Sequence, residues 1–77
     1  MNKARRKVLG KIYDALALLA ERLEEVLDEE REALDNTPEN LQNSDRYQSA
    51  EQGISSLEEA LDNLGYAYEY IEEVINA

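Results

Sequence analysis

Apolar residues recur along the first half of the chain in alternating steps of three and four positions. Because an α-helix completes a turn in about 3.6 residues, this spacing places them on one stripe of a helix. The stripe consists of Leu9, Ile12, Leu16, Leu19, Leu23, Val26 and Ala33, with Glu30 as its one charged member. Further apolar residues beside the stripe widen it to the broad face of a bundle helix: Val8, Tyr13, Ala15, Ala20, Leu27 and Leu34. The pattern predicts a first helix over residues 3–35.

The second half of the chain repeats the pattern without a break. Its apolar series is Tyr47, Ala50, Ile54, Leu57, Leu61, Leu64, Tyr68, Ile71 and Ile75, which predicts a second helix over residues 45–75. The intervening residues 36–44 are rich in capping and helix-breaking types. Pro38 disfavours continuation of the first helix, and Thr37 before it is the expected N-cap of a short turn at 38–42. Ser44 or Asn43 is the expected cap of the second helix.

Folding the chain at this turn brings the two apolar series into register, because the residue numbers of facing positions, such as Leu16 and Leu64, always add to 80. We therefore predict one all-α domain, an antiparallel two-helix hairpin with coiled-coil character. One partner helix is too narrow to cover such broad apolar faces. We expect a second copy to complete a homodimeric four-helix bundle, with docking on another protein as the alternative.

The charge is uneven along the chain. The net charge is −10, yet residues 1–11 carry five basic side chains and no acidic ones, while the other residues carry all 18 carboxylates against three Arg. Such an acidic body repels nucleic acid and anionic membranes and is attracted to basic surfaces. Lys11 and Asp14 interrupt the first apolar stretch, which argues against a secretion signal, and no apolar run approaches the roughly 20 residues of a membrane span. We expect a cytoplasmic protein that contacts neither nucleic acid nor membrane directly.

The sequence lacks the residue types that most catalytic and metal sites require. Cys and His are both absent, which excludes thiol chemistry, disulfides and the Glu-x-x-His di-iron motif of helical bundles. The acidic turn residues Asp35 and Glu39 lack the spacing of a calcium loop. Ser55 and Ser56 have no neighbouring base. We expect no enzyme activity, no cofactor and no metal site.

Two surfaces are candidates for partner binding. Tyr66 and Tyr70 lie off the apolar series of the second helix, and Leu18 lies off that of the first, so their exposed apolar groups are expected to form a contact patch. The second surface is the acidic outer side of the first helix, which carries Asp14, Glu21, Glu24, Glu25, Asp28 and Glu32. A solvated face is the ordinary interpretation of such residues. The sharper hypothesis is a nucleic-acid mimic that occupies the basic groove of a DNA- or RNA-binding protein.

The turn Pro38-Glu-Asn-Leu-Gln-Asn-Ser44, preceded by a basic N-terminus and followed by an acidic Leu/Ile/Ala helix, resembles a group of short acidic helical-hairpin proteins. These proteins occur in phages and mobile elements of Gram-positive bacteria. The resemblance implies an accessory protein that self-associates and binds a protein of the bacterial host. The alternative is a nucleic-acid mimic that inhibits a host nuclease or another defence protein, in the manner of anti-CRISPR or anti-restriction proteins.

Overall fold

The computed structural model describes residues 1–77 and contains two long helices and no strand. Helix α1 covers Lys3–Asp35, helix α2 covers Asp45–Ile75, and a single 3₁₀ turn at Glu39–Leu41 lies between them. The helices run antiparallel in a rod of 59 × 15 × 14 Å. At the end that holds both termini, Arg6 Nη1 of α1 donates a hydrogen bond of 3.1 Å to the carbonyl of Ile75. The predicted helical hairpin is confirmed.

Side-chain caps begin both long helices. Asn2 Oδ1 accepts a hydrogen bond of 2.8 Å from the Arg5 amide at the start of α1. Ser44 Oγ accepts one of 3.1 Å from the Tyr47 amide at the start of α2, as predicted. Each cap satisfies an amide that has no partner within the helix. Asp45 adds negative charge at the positive end of the α2 dipole.

The turn differs from the prediction at Thr37, which is not an N-cap. Its hydroxyl instead donates a hydrogen bond of 3.1 Å to the carbonyl of Ala33, four residues earlier in α1. Thr side chains near a helix end often bond in this way because the last carbonyls have no amide partner. Pro38 is extended, with φ −57° and ψ 143°, and its carbonyl accepts from the Leu41 amide at 2.9 Å. The 3₁₀ turn therefore begins at Glu39.

Only one side of the broad apolar face of α1 packs against α2. The half-buried or buried apolar residues of α1 are Leu9, Tyr13, Leu16, Ala20, Leu23, Leu27 and Leu34. Ile12, Leu19 and Val26 belong to the predicted stripe but are exposed. The expected pairing of Ile12 with Tyr68 is wrong, because Tyr13 stacks on Tyr68 with ring centroids 4.0 Å apart. Leu9, Leu16 and Leu23 of the predicted stripe do pack on α2, so the contact side of α1 is rotated by only about half a residue, roughly 50°. Every predicted stripe position of α2 is half-buried or buried.

The fully covered core is small. Leu27 is 0% exposed and Ile54 is 8% exposed, and no other side chain is buried. No buried side-chain polar atom lacks a hydrogen-bond partner. The hairpin therefore leaves no buried polar side-chain atom without a partner, but it encloses little apolar volume.

Truncation of Leu27 tests this core. We expect Leu27→Ala to lower the free energy of unfolding by about 2–5 kcal/mol, because it removes a fully buried side chain and leaves a cavity. Urea unfolding followed by circular dichroism at fixed protein concentration measures the change. Leu18→Ala is the control, since Leu18 is 49% exposed in the same helix and its loss should cost no more than about 0.5 kcal/mol. Equal effects of the two substitutions would contradict the observed packing side of α1.

Candidate interaction surfaces

The side of α1 that α2 leaves uncovered carries a line of apolar side chains. Val8, Ile12, Leu19 and Val26 are between 43% and 56% exposed. Their spacings of four and seven residues keep them on one side of the helix. The smaller exposed residues Ala15 and Ala33 lie on the same line.

Helix α2 contributes small residues to the same side of the hairpin. Gly53, Ala60, Ala67 and Val74 follow Arg46 at intervals of seven, so the five residues share one line of α2. Arg46 lines a groove together with Glu30 and Ala33 of α1, which places the lines of both helices on one side. We call their combined surface the apolar face: Val8, Ile12, Ala15, Leu19, Val26 and Ala33 of α1 with Gly53, Ala60, Ala67 and Val74 of α2.

The apolar face ends in a groove beside the connection between the helices, which we call the turn-end groove. Its volume is about 360 Å³. Leu34, Leu41 and Tyr47 supply most of its apolar lining, and Glu30 and Arg46 are its charged residues. The groove is open to solvent and has the mixture of apolar walls and a few charges that suits an inserted side chain.

Acidic residues of both helices occupy the opposite side of the hairpin. Arg31 marks this side, since its Nη1 lies 3.1 Å from Asp28 Oδ1 in α1 and its Nη2 lies 3.5 Å from Glu58 Oε2 in α2. Glu21 and Glu24 precede Asp28 by seven and four residues, and Glu51, Asp62 and Glu69 lie at helical spacing from Glu58. We call this set, Glu21, Glu24, Asp28, Glu51, Glu58, Asp62 and Glu69, the acidic face.

All six acidic candidates from the sequence are exposed: Asp14, Glu21, Glu24, Glu25, Asp28 and Glu32. The bridging Arg31 is itself partly exposed, so its ion pairs add little to stability. Sequence reasoning missed the contribution of α2, although the helical spacing of Glu51, Glu58 and Glu69 carries the signal. The acidic surface is therefore broader than α1 alone predicts.

The structure separates Leu18 from the two tyrosines. Tyr66 and Tyr70 are more than half exposed and lie one turn apart on α2. Leu16 and Ala20, two residues before and after Leu18, are half-buried. Because two residues of a helix span about 200°, Leu18 points about 180° away from the contact with α2. The same spacing places Tyr66 about 180° from the contact with α1. Leu18 and Tyr66 thus point away from the hairpin in opposite directions and cannot form one patch. Only Tyr66 and Tyr70 remain a candidate pair for partner contact.

Tyr13 and Tyr68 form the one aromatic contact across the hairpin, with 18° between the ring planes. Interaction with the Tyr68 hydroxyl, desolvation in this half-buried position and the nearby Glu72 carboxylate all raise the pKa of Tyr13 above its ordinary value. Each of these influences favours the neutral phenol. This stacking contact joins α1 and α2 near the end of the hairpin that holds both termini.

The described chain has no group of three or more Asp or Glu side chains arranged to hold a metal ion. Neither helix has a stretch apolar enough to cross a lipid bilayer. Comparisons with protein-family models, with curated proteins and with solved structures found no match. The candidate binding surfaces of the hairpin are therefore the apolar face, the turn-end groove, the acidic face and the pair Tyr66 and Tyr70.

The raised pKa of Tyr13 predicts that this phenol ionises well above its ordinary pH range. We expect Tyr13→Phe to remove the highest step from a titration of phenolate absorbance. Folding favours the protonated phenol, so this stabilisation is complete below the unfolded-state pKa of about 10 and is lost as the pH rises above it. Stability should therefore fall less steeply above about pH 10 in Tyr13→Phe than in the parent chain. A titration that keeps its highest step in this variant would contradict the assignment.

Proposed function

We propose that this chain is a small protein-interaction module that forms a homodimer through its apolar face and so completes a four-helix bundle. The supporting observation is the surface area. The single hairpin exposes 6131 Å², whereas a compact monomer of 8.8 kDa is expected to expose about 4,800 Å². The excess of roughly 1,300 Å² exceeds the roughly 800 Å² that each partner buries in a typical stable interface.

The distribution of that surface also favours a second copy. Exposed apolar residues follow one side of α1 over four positions from Val8 to Val26, instead of being scattered singly as on ordinary monomers. The small residues Gly53, Ala60 and Ala67 on the same side leave room for side chains of another helix. A layer of two more helices is the usual way to cover such a face.

The acidic face remains free in this dimer, because it lies on the side of the hairpin away from the apolar face. We therefore propose that it binds a partner protein with a basic surface. The resemblance of the turn and charge pattern suggests a setting in the bacterial cytoplasm, with a host protein as the partner of a phage or mobile-element accessory protein.

A second candidate function is inhibition by nucleic-acid mimicry. The observation in its favour is that carboxylates of both helices share one side of a 59 Å rod. Such a surface fits the basic groove of a DNA- or RNA-binding protein and excludes the nucleic acid from it.

The oligomeric state tests the homodimer. Light scattering at micromolar concentration should give twice the chain mass of 8.8 kDa. Leu19→Glu should give a helical monomer or sharply weaken the dimer, because it places a charge in the centre of the apolar face. Leu18→Glu is the matched control: Leu18 and Leu19 are 49% and 50% exposed, but Leu18 points away from this face. A parent chain that is monomeric and folded at this concentration would overturn the proposal.

Replacing acids of the acidic face in one variant, and acids elsewhere in another, distinguishes nucleic-acid mimicry from a general effect of negative charge. In one variant Glu21, Glu24, Asp28 and Glu51 of the acidic face become the corresponding amides; in the control Glu39, Asp45, Glu59 and Glu73 do so, with the same change in net charge. The probe is displacement of labelled duplex DNA from DNA-binding proteins of a Gram-positive bacterial extract. Mimicry predicts displacement by the parent and the control, loss of displacement in the first variant, and a steep decline with salt. Equal displacement by both variants, or displacement that is unchanged at high salt, would rule mimicry out.

A further inference from the structure

The exposed line of α1 is symmetric about Leu19. Ile12 and Val26 lie seven residues before and after it, and Val8 and Glu30 lie eleven residues before and after it. If two copies of α1 run antiparallel across a two-fold axis at Leu19, Ile12 of each copy faces Val26 of the other. The dimer then contains two Ile12–Val26 contacts and one Leu19–Leu19 contact, all between exposed residues of the apolar face.

The same symmetry connects the basic segment to the turn-end groove. Arg5 lies fourteen residues before Leu19, and Ala33 lies fourteen residues after it. Val8 and Arg5 of one copy therefore reach the level of Glu30 and Ala33 of the other. Glu30 and Ala33 both line the turn-end groove, so the groove lies where the first turns of the second copy's α1 arrive.

The two ends of the hairpin carry opposite charge. Residues 1–11 and 66–77 form the end that holds both termini and contain five basic and three acidic side chains. Residues 28–46 form the turn end and contain seven acidic and two basic side chains. Two hairpins with their turns at the same end would bring both acidic ends together. Two hairpins with their turns at opposite ends would pair unlike charges at each end of the bundle.

We propose that two hairpins pack with their turns at opposite ends, and that the turn-end groove of each copy receives Arg5 and Val8 of the other. This inference rests on the homodimer proposed above and specifies its geometry. Val8, which lies at the level of Glu30, covers apolar lining of the groove. Arg5 lies one turn further along, at the level of Ala33, and its long side chain pairs with Glu30. Glu30, the one acid in the apolar stripe of α1, thereby acquires a cationic partner. The arrangement with both turns at the same end gives Glu30 no such partner, so Glu30 favours turns at opposite ends.

Disulfide trapping distinguishes the two arrangements, because the chain has no cysteine of its own. Chains with Ile12→Cys and with Val26→Cys are mixed in denaturant, refolded and oxidised. We expect a covalent heterodimer on a non-reducing gel. With the turns together, these two positions would be roughly 20 Å apart along the bundle, well beyond the roughly 7 Å limit between Cα atoms of a disulfide.

The matched mixture is Val8→Cys with Val74→Cys. These positions meet between copies only when the turns lie at the same end, and each chain carries a single cysteine, so no disulfide can form within a chain. A Val8–Val74 disulfide, or a dimer without the Ile12–Val26 disulfide, overturns the proposed orientation but leaves the homodimer intact. A monomer by light scattering instead overturns the homodimer. All four substituted positions are exposed in the hairpin, and circular dichroism verifies that each variant folds.

Charge exchange tests the contact in the groove. Arg5→Glu should raise the dimer dissociation constant roughly four- to twenty-fivefold, because two-fold symmetry repeats the Arg5–Glu30 ion pair and the loss of each partly exposed pair accounts for about two- to fivefold. Combining Arg5→Glu with Glu30→Arg should restore it to within about twofold of the parent value. Lys7→Glu makes the same change in net charge on the outer side of α1 and should have a smaller effect. Failure of the double variant to recover, or equal effects of Arg5→Glu and Lys7→Glu, would overturn the placement of Arg5 in the groove.

Discussion

Two helices packed side by side form a single layer, and a single layer has no interior. Each helix meets its partner along one line, so most side chains remain in contact with water on at least one side. This constraint explains why only Leu27 and Ile54 are buried in a chain of 77 residues. It also explains why 43% apolar composition coexists with so small a core. The remaining features of the hairpin, including its exposed apolar face and its expected assembly, follow from this shortage of interior.

The orientation of α1 reflects a choice between two sides of one broad apolar face. The side with Tyr13 and Leu27 packs on α2, which buries Leu27 completely and stacks Tyr13 on Tyr68. Aromatic side chains bury large apolar areas, which favours the side of α1 that carries Tyr13. The side with Ile12 and Leu19 carries only aliphatic groups and is left exposed. This division gives α1 one side that packs within its own hairpin and another that is left free for the proposed second layer of helices.

Charge and apolar surface occupy opposite sides of the rod. Arg31 bridges Asp28 and Glu58 on the acidic face, whereas the apolar face bears Glu30 as its one acid and Arg46 at its edge. Doubling a chain of net charge −10 by dimerisation is opposed by repulsion, which salt screens over about 8 Å at physiological ionic strength. Most acids lie away from the apolar face, which reduces this cost in the proposed dimer. The same separation leaves a long acidic surface exposed to solvent.

The sequence alone determined the two helices, the position of their connection and the cap at Ser44, because periodicity and capping depend on residues close together in the chain. It also determined the level at which the helices face each other, since both apolar series fit one register. It did not determine which side of α1 packs on α2, because Ile12 and Tyr13 lie on one continuous apolar face and only the fit against Tyr68 selects between them. Only the tertiary structure showed that Leu18 and Tyr66 lie apart, since two residues at the same level of a hairpin can point in opposite directions. The rotation of each helix about its axis depends on the shapes of the facing side chains, which periodicity does not encode.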